Sequence, residues 1–205
     1  MDEFTEMSAP DARSSPRLFE NAILDRLSRV HHLVPVVLYV PLVLVLLYFS
    51  LARMDASATA LGLAAGYAIW TLTEYFGHRF LFHAQFPGAL GARIHHLIHG
   101  VHHDHPSDPL RLVMPPLLSA PIMAASFVVL RLICGPLLVI PVWAGFIAGY
   151  IAYDMVHYHV HHARPRTWVG LALRRRHMLH HFRDSAQWFG VSAPWWDEIF
   201  GTSAR

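Results

Sequence analysis

Four stretches of this chain carry no charged side chain: 33–52, 56–73, 112–130 and 132–153. Nothing else in the sequence limits the fold as strongly. Each run has about the 17–25 residues that a helix needs to cross a hydrocarbon core. Only Arg53, Met54 and Asp55 separate the first two, and only Arg131 separates the last two, so the four helices pair as two hairpins. Of the 205 residues, 54% are hydrophobic and 15% charged. Soluble domains carry roughly 25% charged residues. The pattern predicts an all-α integral membrane protein with four transmembrane helices. The competing reading is four buried helices of a soluble all-α protein.

Every basic residue is arginine, a composition that suggests a GC-rich, bacterial genome. Arg13, Arg17, Arg26 and Arg29 precede the first run, and Arg79, Arg93 and Arg111 lie between the second and third. Seven more, from Arg164 to Arg205, follow the fourth. Positively charged loops stay inside. Both termini and the middle loop are therefore expected in the cytoplasm, with the chain as a multi-pass protein of a bacterial inner membrane. Residues 1–30 form the expected cytosolic tail: a disordered start to about residue 15, then an amphipathic helix over 17–30. That helix gathers Leu18, Ile23, Leu24, Leu27 and Val30 near one face and would lie on the membrane surface. The opening residues contain no apolar signal-peptide core. The membrane domain takes 31–205. A single cysteine, Cys134, excludes an internal disulfide and any cysteine-based zinc site.

Of the 17 histidines, none lies within the four runs, and 15 fall on one predicted side of the membrane. Spacing picks out a subset. His99, His102 and His103 stand at i, i+3 and i+4, which a helix projects to one side, and His177, His180 and His181 repeat that pattern. His157 and His161 are four apart. His78 and His83 are five apart, a poorer match within one helix, and would straddle a helix end. Ten imidazoles suffice for two ions with four to six ligands each, and all-imidazole ligation suits iron, zinc, copper or nickel. A structural zinc would need only four. His95, His96, His105, His159 and His162 remain unassigned. Glu74, Asp104, Asp154 and Asp184 lie beside the clusters and are candidates to orient the rings.

The segments EYFGHRFLFH (74–83), HGVHHDHPSDPLRLVMPP (99–116), YDMVHYHVHH (153–162) and WWDEIFGT (195–202) resemble the fatty acid hydroxylase and sterol desaturase superfamily, and within it the fatty acid 2-hydroxylases. The likeness covers roughly 60–205, and RLVMPP is its most specific part, since it has no metal-binding reason to recur. The resemblance implies a four-helix membrane base under a cytosolic helical cap that holds a dimetal centre. It implies two iron ions (zinc being possible in purified protein), with O2 as co-substrate and a lipid acyl chain hydroxylated beside its carbonyl. Carried over box by box, the catalytic ligands would be His78, His83, His99, His102, His103, His157, His161, His177, His180 and His181. Many eukaryotic members carry an N-terminal cytochrome b5 domain. About 32 residues precede the first run here, so electrons are expected from a separate carrier, a cytochrome b5-like protein or a ferredoxin with its reductase. Arg174, Arg175 and Arg176 could dock an acidic carrier. No nucleic-acid partner is expected. Two alternatives stand beside this reading. One is another oxidation of the same superfamily: lipid desaturation, sterol methyl oxidation or carotenoid hydroxylation. The other is a non-enzymatic membrane metal-binding protein, a metal sensor or a transporter, and a transporter would place polar ligands inside the spans.

Overall fold

The computed structural model describes residues 15–203; the expected disordered start, Arg13 and Arg205 lie outside them. Among the described residues every regular element is helical. The order is α1 (Ala22–Leu27), α2 (Val34–Leu51), α3 (Ala56–Gly77), α4 (Gly88–His95), α5 (Val101–Asp104), α6 (Pro116–His162), α7 (Trp168–Phe182) and α8 (Trp195–Ile199). A π-helical turn, His78–Phe82, extends α3, and a second, His96–Gly100, joins α4 to α5.

Helix α2 starts on Pro35, whose missing N–H costs nothing in the first turn. Helix α3 starts on Asp55, whose carboxylate accepts the Ala58 N–H. Ser50 and Thr59 hydroxyls meet at 2.9 Å across the turn between the two helices.

Helix α6 is two arms. Gly135 breaks it with φ 79° and ψ −179°, a backbone that glycine adopts without a Cβ penalty, and Pro136 follows. Trp143 Nε1 donates to Ser126 Oγ at 3.1 Å, and the Trp143 ring meets Phe127 at 4.8 Å. In a straight helix those residues would stand about 25 Å apart, so the chain doubles back at Gly135. The hairpin expected at Arg131 is present but displaced. The first arm begins at Pro116 rather than at 112 and runs through Arg131 to Cys134. One charge four residues before the turn does not end a helix, whereas Gly–Pro does.

Helix α3 packs along the second arm of α6 with the backbones in near contact. A Cβ on Gly66 would collide with the Val142 carbonyl, and one on Gly145 with that of Leu63. Trp70 then fits edge-on against Phe146 and Tyr150, and Tyr39 of α2 closes on Tyr150 at 5.5 Å. Tyr39 also meets Ser119 at 2.8 Å, which ties α2 to the first arm.

The outward faces are apolar. Val37, Leu44, Tyr48, Leu61, Leu117, Leu132 and Ile133 are each at least 60% exposed, an extent of contiguous apolar surface that soluble monomers rarely show. Helices α2 and α6 are long and apolar enough to cross a membrane.

The expected surface helix over 17–30 is shorter and differently used. Only Ala22–Leu27 is helical. Asp25 is buried and accepts from the Leu18 N–H at 2.7 Å, from Arg29 at 3.0 Å and from Arg111 at 3.1 Å. Led by the Leu18 bond, these contacts hold its carboxyl down to about 2. Val30 N–H donates to Leu110 O at 2.7 Å. The N-terminal segment is therefore strapped to the loop before α6, with Ile23 left exposed.

Candidate metal centre

The ten histidines singled out by spacing converge at one end of the helical base, in two nests of five. His78, His83, His99, His103 and His180 form the first; His102, His157, His161, His177 and His181 form the second. Within each nest the ligand atoms lie within 4.8 Å of one another.

Local structure explains the convergence. The π turn after α3 bonds the His83 N–H to the His78 carbonyl. In an α-helix a five-residue spacing would splay the rings, but in a π turn residues i and i+5 share a face. The Nε2 atoms of His78 and His83 are consequently 3.3 Å apart. The second π turn carries His99, whose Nε2 is 3.1 Å from that of His78 and 3.0 Å from that of His103.

The two HxxHH boxes do not each form one nest. The outer pair of each box, His99 with His103 and His177 with His181, stays in its own nest. The middle residue crosses: His180 Nε2 reaches His83 at 3.0 Å, and His102 Nε2 reaches His157 at 3.0 Å. Each nest thus takes a pair from the end of a long helix, an outer pair from one box and the crossing ring of the other box.

All ten rings turn Nε2 inward. In the second nest His161 and His177 approach to 2.7 Å, and His181 and His177 to 3.1 Å. Two facing ring nitrogens can share one proton at most, so five converging Nε2 atoms cannot satisfy one another. A cation with lone pairs aimed at it satisfies all five. The donor set fits metal ions, and it is neutral and nitrogen-only, as imidazole-preferring transition metals require. Burial, then the crowding of other imidazoles, holds His83 and His103 down to about 3, and burial with neighbouring His162 and Arg174 does the same to His161. Burial also holds His78, His99, His102, His157 and His177 well below the usual imidazole range. The rings are ready as ligands at neutral pH without losing protons.

The four carboxylates expected behind the rings do not play that part. Glu74 accepts from the Ser192 N–H at 2.8 Å and from the Ser192 hydroxyl, tying α3 to the C-terminal segment. Asp104 faces exposed His96 at 3.4 Å. Asp184 caps the Ala186 N–H at 3.0 Å. Asp154 is buried one turn before His157 and lines a cavity. What stands behind the rings is backbone: His78 Nδ1 donates to Phe189 O at 2.7 Å, and His180 Nδ1 to Gln187 O at 2.6 Å. Carbonyls have no residue signature, so the sequence could not announce them.

The remaining histidines stay outside both nests. His159 and His162 are exposed; the His162 ring lies tilted against Tyr158 at 4.5 Å, and His32 stacks on the same ring at 4.0 Å. Arg174 and Arg176 are also occupied. Arg174 donates to the carbonyls of Val160, His161 and Ala163 and so caps α6, while Arg176 pairs with Glu198 at 2.8 Å. Only Arg175 of that triplet is fully exposed.

Beside the nests is a cavity of about 280 Å³. His99 and His102, one from each nest, line it together with His157, and Tyr153 and Asp154 lie next to them. Its other walls are mostly apolar, with Phe82, Ile98, Leu112, Val113, Met114 and Leu118 and with Leu24 and Leu27 of α1, beside the polar Ser28 and Arg111. This gives RLVMPP its physical role. Arg111 latches the N-terminal strap through Asp25, and residues 112–115 line the cavity.

Fold and site together define a helical protein with a wide apolar surface and a ten-histidine centre opening onto an apolar cavity. The family model for fatty acid hydroxylase matches residues 63–202, and the chain belongs to the fatty acid hydroxylase family. A dihydroceramide fatty acyl 2-hydroxylase of Arabidopsis thaliana is 35% identical over 188 residues, covering 91% of this chain and 79% of that protein. A fatty acid 2-hydroxylase of Rattus norvegicus is 37% identical over 209 residues, covering 91% of this chain but only 56% of the relative. The solved structure of full-length Scs7p, in which only the hydroxylase domain is visible, superimposes with a TM-score of 0.86 at 32% identity. That match covers 91% of this chain and 71% of the other.

Proposed function

We propose that the protein is a membrane-embedded oxygenase that places a hydroxyl on the 2-position of a lipid acyl chain. The observation that carries the reading is the meeting of two five-histidine nests with one apolar cavity, at residues belonging to both nests. The names of its relatives, acyl 2-hydroxylases acting on ceramides among them, support the reaction and the substrate class.

Two iron ions, when bound, would supply the activation of O2 with two electrons from an electron donor. The chain does the rest. His78, His83, His99, His103 and His180 would hold one ion, and His102, His157, His161, His177 and His181 the other. The cavity walls align an alkyl chain by shape alone, having few groups to hydrogen-bond, and exclude water from the reacting carbon. Asp154 is the buried polar group nearest the second nest in that wall and suits contact with the acyl carbonyl end. The strap of residues 15–30 closes the cavity from the solvent side.

The membrane base is α2, α3 and the two arms of α6, with the nests, α7 and the termini on the cytoplasmic face. The skew of arginines toward that face supports the orientation. The relatives reported above are eukaryotic and add nothing to the bacterial inner membrane, which rests on arginine usage alone. With Arg174 and Arg176 engaged, docking of the electron carrier falls to other groups beside Arg175.

Mass spectrometry of lipids from cells making the wild-type chain or His180→Ala tests the function. Acyl lipids that gain one oxygen at carbon 2 only with the wild type are the expected result. Loss of two hydrogens, or oxygen added to sterols or carotenoids, would move the protein to another activity of the superfamily.

A further inference from the structure

The two nests differ in what stands behind their rings. In the first, His78 and His180 each donate Nδ1–H to a backbone carbonyl, Phe189 O and Gln187 O. In the second, the Nδ1 atoms of His157, His177 and His181 are buried and meet no partner among the described residues.

The two carbonyls flank one residue, Trp188, which has φ 56° and is the one non-glycine position with positive φ among the described residues. A tryptophan persists in the left-handed region only where its surroundings fix it there. The fixings are on both sides. Trp188 N–H donates to Thr202 O at 3.0 Å. Asp197, fully buried, accepts from the Phe189 N–H at 2.8 Å, the Gly190 N–H at 2.9 Å and the Thr202 hydroxyl at 2.7 Å. The Thr202 hydroxyl in turn accepts from Tyr75 at 2.9 Å, and Tyr75 from Arg79 at 2.9 Å. The chain of bonds returns to the residue beside His78. The left-handed turn is what presents the carbonyls on either side of Trp188 to rings on two different elements, the π turn after α3 and α7.

We infer that residues 187–202 form a positioning clamp, centred on Asp197 and the Trp188 turn, that preorganises the first nest and makes it bind its metal ion more tightly than the second. The inference rests on the nests being metal sites, as proposed above. A carbonyl behind a ring fixes the Nδ1–H tautomer, leaves the Nε2 lone pair free and sets the ring's angle before the ion arrives. Asp197, Thr202 and Trp188 touch neither ion nor substrate; they act through His78 and His180.

The test uses the full chain in detergent micelles and Zn2+ alone, titrated against a chromogenic chelator. Two backgrounds isolate the nests: the His181→Ala chain, which also carries His161→Ala and keeps only the first nest whole, and the His83→Ala chain, which also carries His103→Ala and keeps only the second whole. The retained ion should be held at least about 10-fold more tightly in the His181→Ala chain. Adding Asp197→Asn should weaken it by about 10- to 100-fold, the usual loss when a ring's outer partner is disturbed. In the His83→Ala chain the same change should shift affinity by less than about 3-fold, as for an independent site. Thr202→Val keeps the side-chain shape, removes two bonds of the clamp and should act in the same direction on the first nest alone. It decides the matter if Asp197→Asn unfolds the chain, which circular dichroism would reveal. Equal affinities in the two backgrounds, or equal weakening of both nests, would overturn the clamp. A wild-type chain that binds no Zn2+ would instead overturn the dimetal reading beneath it.

Discussion

His180 sits between His177 and His181 in sequence, three residues from one and adjacent to the other, yet its Nε2 lies 3.0 Å from that of His83 in the opposite nest. His102 makes the reciprocal crossing to His157. Neighbouring residues therefore sit in different nests and, on the proposed reading, would serve different ions. Ala at His102 should deplete the second site and leave the first loaded, and Ala at adjacent His103 should do the reverse. Element analysis of each purified variant, set against the single-nest chains, checks this. Loss of the same ion from both variants would contradict the partition.

The neutral, buried rings give the stripped protein a defined pH response. His83, His103 and His161 titrate near 3 in the folded chain against 6.5 when free. Below 6.5 the unfolded chain binds more protons than the folded one, so stability falls as the pH drops from about 6.5 toward 3 and gains nothing from these groups above that window. Thermal melts of metal-free protein in detergent should be flat from neutral to mildly alkaline pH and decline steadily on acidification. Stabilisation by acid within that window would contradict burial of uncharged rings.

Close approach of α3 and α6 depends on missing Cβ atoms. Gly66→Ala drives a methyl into the Val142 backbone, and overpacking of this kind costs about 1–3 kcal/mol. Gly77→Ala meets nothing within 4 Å and should stay within about 0.5 kcal/mol of the parent. Detergent melting midpoints compare the two. Equal midpoints would mean that the helices do not pack through Gly66.

A bulky group in the cavity should separate substrate fit from metal binding. Met114→Trp fills part of the cavity that His99, His102 and His157 line while replacing no ligand. Turnover of long acyl chains should fall by about 100-fold, the scale of a misplaced reacting carbon, with metal content unchanged. Undiminished turnover would exclude this cavity as the acyl site.

Much of this was legible in the sequence, for physical reasons that also mark the limits. Charge-free runs exposed the long helices, because a helix in hydrocarbon tolerates few charges. The turn was misplaced at Arg131, because a single arginine can lie along an exposed helix face, whereas Gly135–Pro136 cannot continue one. Spacing found all ten histidines, but their division into nests turns on the π turn at His78–Phe82 and on two crossing rings, neither of which has a spacing of its own. Of the carboxylates expected behind the rings, Glu74 fastens the C-terminal segment, Asp104 and Asp184 bond elsewhere, and Asp154 lines the cavity. Their work is done by carbonyls beside Trp188, a residue whose type gives no hint of a left-handed turn. RLVMPP was recognisable as a pattern, and its role appeared only when Arg111 was seen holding Asp25 and residues 112–115 lining the cavity.

The most direct measurement of the central claim is isotopic. Cells making the chain are grown under heavy-isotope O2, and their acyl lipids are analysed by mass spectrometry. The account predicts heavy oxygen in a hydroxyl on carbon 2, absent when His180 is replaced by Ala. An unlabelled hydroxyl, or a double bond in its place, would contradict it.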